Sequence, residues 1–165
     1  MAVDAFLKLE GPQVEGESKV KGFEGQIQIL DVHFGISQPA GGHFGTGSGV
    51  GKADFHDLSV TKRFDLSSPT LMGFCANGKP FDKGTITLRK VSGDKTPMTW
   101  LTVEMNHVLI SALHPSGIGG GEGLENMTLN FDKIKMAYTS QKEDGTKDKT
   151  KEFVFSPREV EGGPN

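Results

Sequence analysis

One stretch limits what this chain can fold into more than any other: PMTWLTVEMNHVLISAL, starting at Pro97. Its odd positions carry Leu101, Val103, Met105 and Leu109, and its even positions carry Met98, Trp100, Val108 and Ile110. Strand side chains alternate faces with a period of two, so one flat strand cannot bury both sets on one side. Fifteen such residues at ~3.3 Å each would run on the order of 50 Å, well beyond an ordinary strand. The segment must therefore bend, through a bulge or a corner, and pass from one sheet to another.

Two further segments change phase in the same way. In 26–37, Ile27 and Ile29 are odd, whereas Leu30, Val32, Phe34 and Ile36 are even; in 125–139, Met127, Leu129 and Phe131 give way to Ile134, Met136 and Tyr138. The alternative to a bend is a strand apolar on both faces, one against the core and one against a partner chain. Further strands are expected at 4–9, 18–23, 54–63, 84–91 and 149–156. QKEDGTKDKTKE reads as a solvated hairpin around Asp144-Gly145.

One segment is helical in character. In DLSSPTLMGFCANGK, Ser68 suits the N-cap, Pro69 the first helical position and Gly78 the site just past the end. Leu71, Phe74 and Cys75 share one side and should lie on a sheet. The fold class is mainly β: a compact, partly closed barrel of two antiparallel sheets with one short helix packed on its side.

The glycine-rich run GGHFGTGSGVGKAD at 41–54 invites comparison with a phosphate loop, G-x-x-x-x-G-K-[ST]. If Gly51-Lys52 is the G-K pair, Thr46 stands where the first glycine belongs and Ala53 where the magnesium hydroxyl belongs. A strand follows instead of the helix whose N-terminus would face the phosphates. The G-x-G-x-x-G spacing fails as well, so nucleotide binding is set aside.

Other chemistry is equally thin. The five histidines (33, 43, 56, 107 and 114) show no HExxH spacing, and the single Cys75 gives them no metal-binding partner. His56 and Asp57 are adjacent, and neighbours in a strand point to opposite faces. His107 shares its face with Met105 and Leu109 and reads as a satisfied or interfacial histidine rather than a ligand. HPSGIGGGEG lacks the spacing of a nucleophile elbow. No catalytic residue, cofactor or metal is expected. The formal net charge of −3, without long like-charge blocks, gives no nucleic-acid footprint. One cysteine excludes an internal disulfide, and no apolar run reaches the ~20 residues of a membrane span. The opening MAVDAFLKLE has no secretory signal pattern, so synthesis in the cytosol is expected.

The order and spacing of several blocks resemble the Hcp family, the tube subunits of type VI secretion systems: MAVDAFLKL, GES at 16–18, ILDVHFGISQ, DLSVTK, SPTLMGFCANGK and ENMTLNF. The tail KEFVFSPREVEGGPN departs from the family pattern. The resemblance implies one domain over 1–165 that forms homohexameric rings stacked into a tube. A contractile sheath drives such a tube, tipped by a spike protein of the VgrG class, out of the cell, and small secreted effectors travel in its channel. It implies no enzymatic activity, no membrane insertion and no room after the last strand for a catalytic extension.

The resemblance also assigns the glycine-rich loop a role at inter-subunit or inter-ring contacts, with His43, Phe44, Gly45, Thr46, Gly47 and Ser48 as the contact stretch. Such a loop is costly to order alone, and a partner surface offsets that cost. Thr102, Glu104 and Asn106 are candidates for the channel lining. A monomeric β-barrel that binds a small ligand, a hydrolase built on His43, His56 or His114, and a phage-type tail-tube protein are the alternative readings.

Overall fold

The computed structural model describes residues 3–39, 52–91, 96–117, 119–158 and 161–164. In chain order the elements are β1 (Val3–Glu10), β2 (Ile27–Gln28), β3 (Asp31–His33), β4 (Ile36–Ser37), β5 (Asp54–Phe55), β6 (Leu58–Arg63), α1 (Ser68–Asn77), β7 (Phe81–Val91), β8 (Pro97–Ser116), β9 (Leu124–Asn130), β10 (Lys133–Gln141), β11 (Lys147–Ser156) and β12 (Glu161–Pro164).

Two curved sheets enclose the core. The larger runs β12-β11-β10-β8-β7-β1-β2, and the smaller runs β3-β6-β9-β8. The 20-residue β8 belongs to both, since its first half pairs with β7 and β10 and its second half with β9. Sharing one strand between two sheets is how a barrel turns a corner.

The apolar pattern of β8 explains how the corner is made. Val103 and Met105 are buried before it, and Val108 and Ile110 after it. His107, between the two sets, has φ +51, the one positive value for a non-glycine residue among the described residues. A left-handed residue in an extended run rotates the strand and exchanges its faces. A second slip at Trp100 lets Met98 reach the core, and a third at Ser111 adjusts the pairing with β9. His107 itself is exposed and does not share the face of Met105, and Leu109 pairs opposite Asn130 outside the core. The expectation that His107 shares its face with Met105 and Leu109 fails because the chain turns at that residue.

The other two phase changes are resolved by breaks. The expected strand 125–139 is two strands, β9 and β10, separated by Phe131 and Asp132; the Asp132 N–H donates to the Asn106 carbonyl beside the β8 corner (3.0 Å). Segment 26–37 divides into three short strands, and 54–63 into two. Residues 18–23 form a looped flap instead of the expected strand. Gly22 and Gly25 both take positive φ, and Gly25 N donates to Ser18 O (2.9 Å). Phe23 on this flap stacks on Phe6 at 4.5 Å with the Arg89 guanidinium 4.8 Å from its ring, which pins the flap to the outside of β1. Backbone N–H groups of Glu24 itself and of Gly22 hold the Glu24 carboxyl below the usual carboxylate range.

The helix forms as its boundary residues require, one residue out of phase. Ser67 occupies the cap position and Ser68 is the first helical residue. The Ser68 hydroxyl turns inward: it accepts from the Asp65 N–H and from Lys62 Nζ, both at 3.0 Å, and donates to Glu125 Oε2 (2.9 Å). Gly78 closes the far end at φ 61 with its N–H on the Cys75 carbonyl. Leu71 is fully buried, and Phe74 stacks on Phe81 at 4.5 Å. The predicted hairpin at Asp144-Gly145 is present, with Gly145 at φ 87 and the Asp144 carboxylate accepting from Thr146 N–H.

Candidate self-association surface

The two faces of the long sheet differ sharply in chemistry. Residues paired across neighbouring strands share a face, so the register assigns side chains to sides. Thr102 lies between Thr87 and Ala137, Glu104 between Thr85 and Lys135, and Asn106 between Lys83 and Lys133. All three predicted positions therefore stand together on the face turned away from the core. Glu104 lies 3.4 Å from Lys83, Lys135 lies 3.3 Å from Glu152, and Lys8 lies 2.8 Å from Glu10. This face is polar, and its acidic groups are matched by neighbouring lysines. Exposed pairs of this kind add little stability, so their effect is on the surface they present.

The core face is covered by the smaller sheet over only part of its length. Near the ends of β7 and β10 one row reads Ala5, Leu88, Leu101, Tyr138, and the segment carrying β3 and β4 crosses above it. Here the barrel is open. A 250 Å³ cavity lies between Leu30, Val32 and Phe34 on one side and Leu88, Trp100 and Leu101 on the other. A second cavity of 290 Å³ shares Phe34 and is bounded by Ile36, Phe55, Phe131, Ile134, Met136 and Phe153, with no acidic or basic side chain in its wall beyond His56.

The rim of this seam is apolar and exposed. Leu30 is 48% exposed, Phe34 41%, Ile36 54% and Tyr138 46%. Three of the even-numbered apolar residues of 26–37 and the last one of β10 are thus exposed, whereas Val32, Ile134 and Met136 of the same set pack in or against the core. Contiguous exposed apolar surface of this extent marks an interaction site more often than a solvated one. At the floor, Trp100 packs edge-on to Tyr138 at 6.3 Å, and its indole N–H is buried with no acceptor. An unsatisfied buried donor costs about 1–3 kcal/mol.

The remaining candidates are dispersed. His56 Nε2 meets the Ser37 hydroxyl at 3.2 Å, while Asp57 binds Ser111 (2.6 Å) and Asn130 (2.9 Å) in another direction, so the two do not form a relay. His33 pairs with Asp31 at 2.8 Å, and His114 lies exposed on the smaller sheet opposite Asn126. His43, Phe44, Gly45, Thr46, Gly47 and Ser48 lie outside the described residues. Among the described residues no three His, Cys, Asp or Glu side chains gather where they could hold a metal ion. No described helix is long and apolar enough to cross a membrane.

Sequence reasoning missed one group, the buried cluster under the helix start. Lys62 Nζ lies 2.7 Å from Glu125 Oε2, 2.9 Å from Asp65 Oδ1 and 2.8 Å from the Arg63 carbonyl, with Lys62 and Glu125 both fully buried. Its signal was available: Lys62 follows Leu58 and Val60 on the inward side of β6, and Glu125 precedes Met127 and Leu129 on that of β9.

Comparison with known proteins agrees with this architecture. Residues 6–138 match the family model described as type VI secretion system effector, Hcp. The chain is 41% identical over 149 residues to protein hcp1 of Pseudomonas aeruginosa, covering 90% of each. A solved type six secretion system protein superposes with a TM-score of 0.88 at 25% identity, over 98% of this chain and 99% of that one. Hcp1 from Salmonella typhimurium gives 0.77 at 26% identity, again over 98% and 99%. With a match across most of its length and a β-rich fold shared with solved Hcp structures, this chain belongs to the Hcp family of type VI secretion system proteins.

Proposed function

We propose that this chain is the structural subunit of the type VI inner tube. It assembles into homohexameric rings that stack, are propelled by the contractile sheath beneath a VgrG-class spike, and carry small effectors out of the cell. The observation that carries this reading is the presence of two unlike surfaces on the two sides of the long sheet. An apolar seam at Leu30, Phe34, Ile36 and Tyr138 needs a partner, while a polar face at Thr102, Glu104 and Asn106 suits contact with channel water. The role is mechanical and requires no reaction centre. The glycine-rich stretch 43–48 serves as a contact between copies, because a neighbouring surface offsets the entropy of ordering it.

Light scattering on the purified protein tests the assembly. The expected molar mass is about six times the 17.7 kDa of the chain, as a closed six-membered ring requires. Electron micrographs of the same sample should show annular particles with an open lumen. A single species of 17.7 kDa at high concentration would reject the reading in favour of a monomeric barrel.

A further inference from the structure

A cavity of 380 Å³ opens where three distant segments meet: the loop before β2 (Glu17), the turn leading from β6 into α1 (Arg63, Phe64, Asp65), and the residues just before β9 (Glu122, Gly123). We propose that it binds a small organic ammonium ion, with the Asp65 carboxylate at its floor and the Phe64 ring in its wall. The proposal does not depend on how copies of the chain assemble.

The charges around the cavity favour a cation. Glu17, Asp65 and Glu122 line it, and Glu125 lies behind Asp65 in the buried cluster. Two cations oppose these four carboxylates: Arg63, whose guanidinium pairs with Glu122 at the exposed rim, and Lys62, which is shared by Asp65 and Glu125. Two negative charges remain in excess, and a concave site focuses their field.

Asp65 shows where that excess is presented. Its side chain is only 10% exposed. Its Oδ1 accepts from Lys62 Nζ (2.9 Å), from the Ser67 N–H (2.9 Å) and from the Ser67 hydroxyl. These donors fix the carboxylate and leave Oδ2 without a partner among the described residues, turned to the cavity that Asp65 lines. In the same cluster Glu125 Oε1 is buried with no donor. Acceptors therefore outnumber donors here, and a ligand N–H on Oδ2 supplies one.

The wall decides the class of cation. Phe64 is 43% exposed, and its backbone N–H donates to the Gly123 carbonyl at 3.0 Å. Its ring lies so close to Gly123 that any side chain there would collide with it, so the ring is held at the cavity wall. An aromatic ring beside carboxylates attracts ammonium groups, and the exposed Leu30 gives their carbon chain apolar contact. A metal ion needs its ligands gathered, and among the described residues no three His, Cys, Asp or Glu side chains meet that need. Carboxylates spaced around a volume suited to small ligands fit an extended organic cation better.

Isothermal titration calorimetry on the full chain tests the site. The probes are n-butylammonium and Nα-acetyl-lysine amide, with n-butanol as the uncharged control, at low ionic strength. Both ammonium probes should saturate one site per chain, n-butanol should give no saturable heat, and added sodium chloride should weaken binding. Tighter binding of the lysine derivative identifies a polypeptide side chain as the source of the ammonium group; tighter binding of n-butylammonium identifies a free amine. Glu17→Gln and Phe64→Leu, both at exposed positions, should keep the wild-type circular dichroism spectrum and weaken binding about two- to fivefold each. Asp65→Asn should weaken it about tenfold or more, with its melting curve recorded alongside. The absence of saturable heat with either ammonium probe overturns the proposal, as do equal binding of n-butanol and full affinity in both Glu17→Gln and Phe64→Leu.

Discussion

A single backbone torsion at His107 turns the longest strand, and its side chain contributes little to the result. Left-handed backbone costs an L-residue roughly 1–2 kcal/mol, while glycine adopts it freely. His107→Gly is therefore expected to leave stability within about 1 kcal/mol of wild type, because relief of strain is offset by the flexibility of glycine in the unfolded chain. His107→Val places a β-branched side chain at φ +51 and should destabilise by about 2 kcal/mol or more in urea denaturation. A second residue-scale case is Lys62, whose ammonium is the buried counter-charge of Glu125 and also binds Asp65. Lys62→Met leaves a buried carboxylate without its partner, for an expected loss of about 3–5 kcal/mol. Lys62→Met combined with Glu125→Leu removes both charges and should recover much of that loss. A double-mutant cycle by chemical denaturation reads the difference directly.

The helix and the flap were unequally visible in the linear sequence. Pro69 and Gly78 mark the helix because their effects are local: proline presets φ at a helix start, and glycine accepts the left-handed end. Gly78→Ala isolates that backbone effect, since a methyl group there would touch nothing within 4 Å. The expected cost is about 1 kcal/mol, seen as a lower thermal midpoint with unchanged assembly. Ser67 and Ser68 are chemically alike, so the sequence alone places the cap one residue late. Only the approach of Lys62 and Glu125 draws the Ser68 hydroxyl inward. Residues 18–23 look like a strand from composition, yet they fold as a flap because the Phe6–Phe23–Arg89 stack and two left-handed glycines hold them. Those contacts come from β1 and β7, far away in sequence. For the same reason segment 125–139 reads as one run with a phase change, and its break at Phe131–Asp132 follows from the Asn106 carbonyl that receives the turn.

At the scale of the molecule, the opening between the two sheets leaves apolar surface that a closed barrel would bury. Phe34 is shared by both cavities and is 41% exposed, so Phe34→Asp gives up a half-buried ring and should cost the isolated chain about 1–2 kcal/mol without unfolding it. Placing a charge at the centre of the contact should nevertheless shift the assembled species toward single chains, since central aromatic residues dominate interface energies. Analytical ultracentrifugation across a concentration series would show the shift, and an unchanged distribution would remove the seam from the contact. The β class, the short helix marked by Pro69 and Gly78, and a second apolar set on the curled strands are all legible in the order of the amino acids. Those properties follow from side-chain alternation and from the local torsional preferences of proline and glycine. Only the packing of distant strands settles where each strand turns, brings Lys62 and Glu125 together under the helix, and divides the second apolar set between the core (Val32, Ile134, Met136) and the open end (Leu30, Phe34, Ile36, Tyr138). Each of these depends on which distant strands lie side by side, and alternation along one strand carries no information about its neighbours.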